Sequence, residues 1–496
     1  MQNRQTVSNL IKESDIQSWM PGDVITISAG TGAGKSHFIK NGLYDYCKKN
    51  NFKILFLIHR TDCVNQFMTE LKDDNKTDII DIKTYQYLEA LQLHHKTMDL
   101  NQYTFIVCDE FHYFYNDSQF NTKTDLSLKT ILEHTNCIRI FMSATGFEMI
   151  KFLNDIKHIK TIDYNLPKNY KFIKSLAFYK KPETLDYLVK NVLKEKSKAI
   201  FFIDSAEKAY NLYKKYNKYC LFNCSKSNVN NYHKYVDEDK IKTLLKDESL
   251  DNLPESIIIT TTCMDSGINI HDKNIRYIIC DNIRDINEVI QCIGRKRQIG
   301  EDDKIWLAIS DISNKQLGGI YVQQKKRIEK AEYLLQHNTQ GYVSKYYKDQ
   351  DKSLIVYDEI SEKNHWDECT KKVNMLMYYK TLDDLDTINI IKYKAGSYKQ
   401  FILDLFDYKD LYVELDKESV NKNMELEAYL DSIKGQKLDK EQQKELIDKI
   451  DLRVDGKRQK SYTKLNTGLE MIHLPFVIIP KRDNSHRYWT VEKIES

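Results

Sequence analysis

Short apolar runs alternate with longer amphipathic stretches through the first two thirds of this 496-residue chain. A continuous run of β-branched and aromatic residues is typical of a strand that is buried on both faces of a parallel sheet. The intervening stretches, such as 37–49 and 62–72, have the spacing of amphipathic helices. A first series of strands is therefore predicted at residues 24–28, 54–58, 79–82, 105–108 and 138–142.

A second series of apolar runs follows, separated from the first by a predicted connection at 157–170 that contains Pro167. Alternation of strands with helices predicts parallel, doubly wound layers, so the fold class is α/β. We expect two such domains in tandem, at residues 1–160 and 161–315. The strands of the second series are predicted at residues 172–178, 199–203, 220–223, 256–260, 277–280 and 304–309.

After about residue 312 the pattern becomes mostly helical, as in 323–336, although 340–425 gives no clean signature. We expect a helical accessory region at 316–423 and a separate C-terminal domain at 424–496. Three helices followed by two strands would make that domain winged-helix-like. These elements are predicted at 424–434, 440–450 and 460–473 for the helices, and at 476–480 and 487–493 for the strands.

Composition excludes several classes of protein. The chain has 75 basic and 72 acidic residues, so a globally basic coat protein is excluded, although a local basic groove is not. No apolar run is long enough for a transmembrane helix, and no membrane partner is expected. The 10 cysteines include no Cys-x-x-Cys pair, which predicts reduced thiols and no zinc site. Without an apolar N-terminal segment, a cytoplasmic location is expected.

A glycine-rich loop lies between the first predicted strand and the first predicted helix. Backbone N–H groups of such a loop turn inward around phosphate oxygens, and the helix N-terminus adds its positive end. Lys35 would reach the terminal phosphates and Ser36 would hold Mg²⁺. The loop does not choose among kinases, switches and motors. Its nucleotide-binding residues are Ala29, Gly30, Thr31, Gly32, Ala33, Gly34, Lys35 and Ser36.

An acidic pair ends the apolar run at 105–108. Asp109, at the tip of the strand, can bind Mg²⁺, and Glu110 can orient and deprotonate an attacking water. His112 follows two residues later and could couple this site to the next domain. An isolated Asp-Glu after a strand could equally be a solvated turn, but the upstream phosphate loop favours a nucleotide site.

Asp109-Glu110-Phe111-His112, followed by Ser143-Ala144-Thr145 after the next strand, resembles the motifs of DExH-box helicases of superfamily 2. The resemblance implies tandem RecA-like P-loop domains and ATP hydrolysis dependent on nucleic acid. It also implies that His112, Ser143 and Thr145 couple the acidic pair to the second domain. The segments around Arg60 and Thr84 resemble the family's motifs that contact the nucleic-acid backbone.

Two further segments resemble motifs V and VI of that family. In 261–269, Thr261 and Thr262 would contact nucleic-acid phosphates, and Asp265 and Gly267 would face the nucleotide cleft. In 291–298, Gln291 and Arg295 match Q-x-x-G-R-x-x-R, whereas the last position is Gln298 and Arg297 lies one place early. The resemblance therefore implies Arg295 as the arginine finger and Arg297 as a displaced second cation. The catalytic residues implied are Lys35, Glu110, Gln291 and Arg295.

The C-terminal domain has a local excess of positive charge. Residues 457–487 contain seven basic residues and two acidic ones. Lys481, Arg482 and Arg487 lie on the predicted wing and would contact phosphates, and neighbouring aromatic side chains could stack on bases. The alternatives are a structural cap with solvated charges or a surface that binds a protein partner.

The expected function is a nucleic-acid-dependent ATPase, an ATP-driven helicase or translocase that uses ATP and Mg²⁺. DNA is favoured over RNA because a winged helix is a common appendage of DNA helicases, which is an analogy at the level of the fold. The alternatives are an ATP-driven switch or remodeller that does not unwind duplex, and a replication or origin-binding factor whose ATPase is regulatory. No adenine-reading glutamine motif precedes the loop, so ATP is the default nucleotide.

Overall fold

The computed structural model describes residues 6–59, 61–226, 228, 230–262, 269–349, 353–363, 366–454, 457–472, 474–483 and 486–494. In these ranges, no helix combines the length and the apolar character that crossing a membrane requires.

The first domain is built on a parallel sheet with the order β3-β2-β4-β5-β1-β6. Alternate residues of its strands point to opposite faces: Ile54 and Phe56 pack in one core, and Leu55 and Leu57 in the other. Helices cover both faces, because both faces are apolar. Its strands are β1 (Val24–Ser28), β2 (Ile54–Ile58), β3 (Ile80–Thr84), β4 (Phe105–Asp109), β5 (Ile138–Ser143) and β6 (Thr161–Asn165).

The helix after the phosphate loop begins at Lys35 and continues to Asn50 through a π-helical segment at Ile39–Leu43. A second π-helical segment, Phe152–Ile156, extends the helix after β5. The helices of this domain are α1 (Val7–Leu10), α2 (Glu13–Ser18), α3 (Lys35–Phe38), α4 (Tyr44–Asn50), α5 (Thr61–Asp73), α6 (Tyr85–Leu93), α7 (Tyr113–Asp117), α8 (Thr124–Glu133) and α9 (Phe147–Lys151).

The second domain has another parallel sheet, with the order β15-β7-β12-β11-β8-β10-β9, in which the edge strand β15 (Val413–Glu414) comes from the region that follows this domain. Its two faces are again apolar and covered. Its strands are β7 (Ile173–Tyr179), β8 (Lys198–Ile203), β9 (Cys220–Asn223), β10 (Ile257–Thr260), β11 (Ile275–Asp281) and β12 (Ile305–Ser310). Its helices are α10 (Thr184–Lys194), α11 (Ala206–Tyr216), α12 (Glu238–Asp247) and α13 (Ile286–Gly294), with a 3₁₀ turn at Tyr232–Tyr235.

A largely helical region follows and includes an antiparallel hairpin. Its last strand returns to the second domain and pairs with β7. The helices are α14 (Asn314–Gln336), α15 (Thr339–Tyr346), α16 (Met375–Asn389), which continues into a π-helical segment at Ile390–Ala395, and α17 (Tyr398–Leu405). The strands are β13 (Val356–Lys363), β14 (Trp366–Val373) and β15 (Val413–Glu414).

The C-terminal elements enclose a small apolar core of their own, which includes Leu430, Leu446, Leu469 and Val491. They follow in the predicted order of three helices and then a hairpin, and a two-residue ladder is inserted before the last helix. A winged-helix identity for this group stays a prediction. The elements are α18 (Lys417–Ser432), α19 (Lys440–Ile450), β16 (Arg453–Val454), β17 (Lys457–Arg458), α20 (Tyr462–Met471), β18 (Phe476–Asp483) and β19 (His486–Lys493).

The predicted fold class, with two tandem doubly wound α/β domains and a mostly helical C-terminal region, is confirmed by these sheets and helices. Two details were wrong. The predicted connection 157–170 contains the edge strand β6, so the first domain extends beyond the predicted boundary between residues 160 and 161. The accessory region is not purely helical because it contains β13 and β14. Both misassigned segments are rich in polar residues, so they lack the apolar run used to find strands.

Candidate functional site

The carboxyl ends of three neighbouring strands bring the chemically important residues of the first domain together. β5 pairs with both β1 and β4, in parallel register, with Ser28 opposite Ser143 and Asp109 opposite Met142. The phosphate loop follows β1, the acidic pair ends β4, and Ser143 ends β5. Crevices outside the carboxyl ends of strands are where open α/β sheets bind ligands.

The phosphate loop has the backbone geometry that its glycines permit. Gly32 and Gly34 have φ values of 75° and 85°, in the left-handed region that favours glycine. Lys35 begins the helix, is buried, and donates from Nζ to the Ala29 carbonyl oxygen at 2.9 Å. Ala29 N–H in turn donates to Ser143 O at 3.1 Å, so the loop is attached directly to the end of β5.

The acidic pair lies in the same crevice, and its second residue is strained. Glu110 has a φ of 48°, which is uncommon for a residue with a side chain and typical of functional sites. Its carboxylate oxygen lies 3.3 Å from His112 Nδ1 and 3.3 Å from Ser143 Oγ. The backbone of Asp109 is held by Tyr85, whose hydroxyl donates to the Asp109 carbonyl oxygen at 2.9 Å.

The two carboxyl groups have different acidities. Burial and the neighbouring charge of Glu110 raise the pKa of Asp109 to about 7. Burial also acts to raise the pKa of Glu110, but the positive charge of Lys35, the hydrogen bond with His112 and the positive charge of Arg295 outweigh it and hold that pKa well below its usual range. Glu110 is therefore ionised at neutral pH and able to accept a hydrogen bond from water.

The site fits a Mg²⁺ ion. Asp109 Oδ1 is buried and has no hydrogen-bond partner in the part of the chain that the structure describes. Ser36, in the first turn of α3, supplies a hydroxyl on the same edge of the sheet. Mg²⁺ prefers carboxylate and hydroxyl oxygens and retains several waters, so these two residues suffice as protein ligands.

A chain of hydrogen bonds leads from the acidic pair toward the second domain. Ser143 Oγ lies 2.8 Å from His112 Nδ1 and accepts from the Thr145 N–H at 2.9 Å. Thr145 Oγ1 accepts from Gln291 Nε2 at 2.9 Å, across the cleft between the domains. His112, Ser143 and Thr145, expected from the resemblance to couple the domains, are thus all buried in one network.

The far side of the cleft is formed by the end of α13. Gln291 Oε1 accepts from Arg295 Nη2 at 2.9 Å, and both residues are buried. The chain beyond α13 is held by backbone bonds from Ile270 N–H to Arg295 O and from Arg297 N–H to Ile270 O, each 2.9 Å long. This pairing fixes the direction in which Arg295 and Arg297 leave the helix.

Arg297, the cation that lies one place early in the sequence motif, also lies in the cleft. Its Nη1 is 3.5 Å from the position that a Cβ would take at Gly32 of the phosphate loop. Asn269 Oδ1 accepts from Arg297 Nε at 2.7 Å and from Arg297 Nη2. Asn269 ends the segment that resembles motif V, and the resemblance gives it no role. Only its proximity to Arg297 in the fold identifies it as an anchor for that side chain.

Several predicted residues have a different or undescribed placement. Thr84 caps α6 by accepting from the Tyr87 N–H at 3.1 Å, at the carboxyl end of β3. Thr261 is buried and Thr262 half-buried immediately after β10. The three predicted site residues Arg60, Asp265 and Gly267 lie outside the described residues.

The basic residues of the C-terminal hairpin are exposed. Arg482 and Arg487 lie directly opposite each other in the β18–β19 ladder, an arrangement of like charges that costs stability unless an anion lies nearby. Lys481 donates to Glu492 at 2.8 Å and keeps 42% of its side chain exposed. Trp489 packs against the core of the C-terminal elements, so it is not free to stack on a base.

No protein-family model and no curated protein sequence matches this chain. Three similar solved structures are S. cerevisiae Dbp5 bound to RNA and ADP BeF3, the DEAD-box helicase Mss116 bound to ssRNA and UDP-BeF, and the DUF1998 helicase MrfA bound to DNA and AMPPNP. Dbp5 is 16% identical and the other two are 15% identical.

These similarities cover 58%, 62% and 60% of this chain, in the same order, and 79%, 70% and 47% of the other chains. The TM-scores are 0.44, 0.46 and 0.45. Because these similarities are weak, the function is inferred below from the geometry of the site.

Proposed function

We propose that this protein is a nucleic-acid-dependent ATPase of the superfamily 2 type, and that it acts as an ATP-driven DNA helicase or translocase. The observation that carries the proposal is the buried hydrogen-bonded path from Glu110 and Ser143 through Thr145 to Gln291 and Arg295. Through the bond from Ala29 N–H to Ser143 O, it connects the phosphate loop on one domain to Arg295 on the other. Hydrolysis at such a site depends on how the two domains are arranged.

The first domain binds the nucleotide. Lys35 exchanges its bond to Ala29 for the phosphate oxygens of ATP, and the loop from Ala29 to Gly34 surrounds them with N–H groups. Ser36 and Asp109 would hold Mg²⁺, which when bound would neutralise phosphate charge. Glu110 orients the attacking water and accepts its proton, because its carboxylate is ionised and held by His112 and Ser143.

The second domain stabilises the transition state. Negative charge spreads over the transferred phosphoryl oxygens, and a cation held at that point lowers the barrier. Arg295 supplies this cation and Gln291 orients it. Arg297, anchored by Asn269 beside Gly32, is the second cation. Because all of these side chains come from the second domain, opening the cleft would stop catalysis.

The nucleic acid would lie across both domains, with Thr84, Thr261 and Thr262 near its phosphates, as the resemblance implies. The exposed arginines of the C-terminal hairpin supply additional phosphate contacts. DNA is proposed over RNA by analogy with winged-helix appendages of DNA helicases. ATP-driven movement of a strand held by both domains would follow from the opening and closing of the cleft.

Strand displacement tests this proposal. Duplex DNA and RNA substrates with single-stranded tails are incubated with ATP, and release of the shorter strand is followed by fluorescence. We expect ATP-dependent release of DNA that is lost in the Lys35→Ala variant. ATP hydrolysis without release would favour the non-unwinding switch or regulatory ATPase, and release of RNA alone would contradict the DNA preference.

Closure of the cleft can be tested at Gly294, the last residue of α13. A Cβ at Gly294 would lie 2.4 Å from Thr31 Oγ1 of the phosphate loop. The variant Gly294→Ala is therefore expected to lower the ATPase rate by about tenfold. Overpacking by one methyl group would destabilise the closed cleft by roughly 1–3 kcal/mol, and a barrier raised by about 1.4 kcal/mol slows a reaction tenfold. Steady-state ATPase rates measure the effect.

The matched control is Gly319→Ala in α14, where an added Cβ meets nothing within 4 Å. Both variants should remain folded at the temperature of the ATPase assay. Wild-type ATPase activity in Gly294→Ala would mean that α13 does not approach the phosphate loop in the working enzyme.

The C-terminal hairpin can be tested by replacing Lys481, Arg482 and Arg487 with alanine together. Binding to single-stranded DNA should weaken, and the dependence of log K on log salt concentration should become shallower by roughly one unit for each phosphate that the protein no longer neutralises. Binding isotherms at several salt concentrations measure both quantities.

As a control, a second triple variant removes three positive charges from surface positions outside the C-terminal hairpin. Lys129, Lys242 and Lys409 have 69%, 69% and 83% of their side chains exposed and form only surface ion pairs. Their replacement by alanine should leave the slope close to that of the wild type. Equal slopes for the two triple variants would mean that the hairpin faces protein or solvent.

A further inference from the structure

Helix α16 of the accessory region packs against both α/β domains. Leu376, in its first turn, is buried in a core of the first domain, whereas Ile388, near its end, is buried in a core of the second. Just before the helix, Asn374 Nδ2 donates to Ser118 O of the first domain at 2.8 Å, in a buried bond. The helix therefore spans the domain boundary, and its two ends are anchored on opposite sides of it.

A buried lysine lies in the middle of this helix. Lys380 Nζ donates to Asp285 Oδ2 of the second domain at 2.8 Å and to Asp384 Oδ1, one turn along α16, at 2.9 Å. The side chain of Lys380 is 8% exposed and that of Asp285 is 17% exposed. Removal of Lys380 would leave the Asp285 carboxylate without its partner at a largely buried position, which is costly.

Asp285 is the N-cap of α13, the helix that leads to Gln291 and Arg295. Its side chain accepts from the Asn287 N–H at 2.8 Å. Since α13 has nine residues, the position of its first turn determines where its last turn lies. The contact of Lys380 with Asp285 therefore acts on the helix that carries the proposed catalytic side chains.

The same junction includes the first domain. Asn287 Nδ2 donates to both carboxylate oxygens of Glu148, at 2.9 Å and 2.7 Å. Glu148 is on α9, three residues after Thr145, and Lys151 of the same helix donates to Asp383 of α16 at 3.0 Å. Three polar links thus join α9, α13 and α16 in a closed ring next to the cleft.

The acidities of these groups agree with a charged pair. Burial acts to lower the pKa of Lys380, but Asp285, Asp384 and Glu148 outweigh it and hold that pKa well above its usual range. Burial acts to raise the pKa of Asp285, and Lys380 outweighs it, so that this pKa is lowered. Both partners are therefore ionised at neutral pH.

We propose that α16 is a brace that holds the two α/β domains in the closed arrangement, and that Lys380 is a positioning residue for Arg295. Through Asp285 it fixes the start of α13 against α9, so that Gln291 and Arg295 face the phosphate loop. The close approach of Gly294 to Thr31 leaves little room for α13 to shift without losing alignment. This inference rests on the proposed ATPase function.

The test is the variant Lys380→Met in the full chain, measured for ATPase kcat and, with a fluorescent ATP analogue, for nucleotide Kd. We expect kcat to fall about tenfold or more, because small misplacements of catalytic groups have effects of that order. Nucleotide Kd should change less than about threefold, since the proposed phosphate ligands belong to the first domain. If Lys380 contributed only to stability, kcat would not fall while nucleotide Kd stayed nearly unchanged.

The matched control is Lys198→Met. Lys198 donates to Asp272 at 2.8 Å, and the Asp272 carboxylate is fully buried, so this variant breaks a comparable ion pair. Lys198 lies at the amino end of β8, opposite the edge that carries the site. Thermal unfolding should occur at lower temperatures in both variants, whereas kcat should fall only in Lys380→Met.

A second variant removes the ion pair while keeping the cap of α13. Asn is as good an N-cap as Asp, so Asp285→Asn preserves the helix start and removes the charge that Lys380 contacts. We expect Asp285→Asn to lower kcat as well, and the double variant with Lys380→Met to fall no further than the lower single variant, because both changes break the same link.

Two results would overturn the inference. Wild-type kcat in Lys380→Met, or an equal loss of kcat in Lys198→Met, would show that Lys380 contributes only stability. A wild-type protein that hydrolyses no ATP under any condition would instead overturn the proposed function. The two failures are therefore distinguishable.

Discussion

Replacing Glu110 with Gln is expected to slow ATP hydrolysis by about 10²-fold or more while ATP and Mg²⁺ remain bound. The amide keeps the size of the side chain but cannot accept a proton from water. The groups that would hold the nucleotide and the metal ion, Lys35, Ser36 and Asp109, are unchanged. The measurement is the steady-state ATPase rate, together with the Kd of a fluorescent ATP analogue in the presence of Mg²⁺.

The contrast with Lys35→Ala makes this prediction specific. Lys35 contacts phosphate in the ground state as well as in the transition state, so its removal should weaken nucleotide binding and hydrolysis together. Glu207→Gln, an exposed change in α11, serves as the control for the amide substitution. If Glu110→Gln hydrolysed ATP at the wild-type rate, the assignment of Glu110 as the base would be wrong.

Replacing Arg295 with Ala is expected to lower the ATPase rate by about 10²-fold or more, with only a modest loss of ATP affinity. The charge that Arg295 stabilises develops mainly in the transition state, so its loss affects kcat more than binding. Arg295 also contributes to the low pKa of Glu110, and removing its charge weakens that effect. The control is Arg276→Ala, which removes an exposed arginine from β11.

The variant Arg297→Ala tests which of the two arginines, Arg295 or Arg297, contributes more to the rate of hydrolysis. Its guanidinium lies beside Gly32 and is anchored by Asn269, so we expect a smaller loss of rate than for Arg295→Ala, with some loss of nucleotide affinity. A normal rate in Arg295→Ala combined with a large loss in Arg297→Ala would mean that the roles of the two arginines are exchanged.

The fold of the two α/β domains could be predicted because their buried strands are continuous apolar runs. β1, β4 and β5 are each followed by a polar motif, and parallel strands bring their carboxyl ends to one edge. This explains why Lys35, Asp109 and Ser143 lie at one edge of the sheet. β6 was missed because it is an edge strand whose residues are exposed or half-buried, so its sequence has no apolar run.

The part of the site formed by the second domain and the accessory region was harder to predict from the sequence. The displaced Arg297 reaches the cleft because the chain after α13 pairs with Ile270, and nothing in the motif encodes that pairing. Lys380, Asp285 and Glu148 come from three distant segments with no local pattern. Their juxtaposition is a property of the tertiary fold, so a buried lysine in an accessory helix looks like any other charged helical residue in the sequence.

The dependence of hydrolysis on nucleic acid is tested most directly by measuring the ATPase rate of the wild-type chain with no nucleic acid, with single-stranded DNA, with duplex DNA and with RNA, side by side. The proposed function predicts a low rate without nucleic acid, a clear increase with single-stranded DNA, and no such increase in Glu110→Gln or Arg295→Ala. A rate that is the same with and without every nucleic acid would contradict it, because hydrolysis would then not depend on a strand held across the two domains.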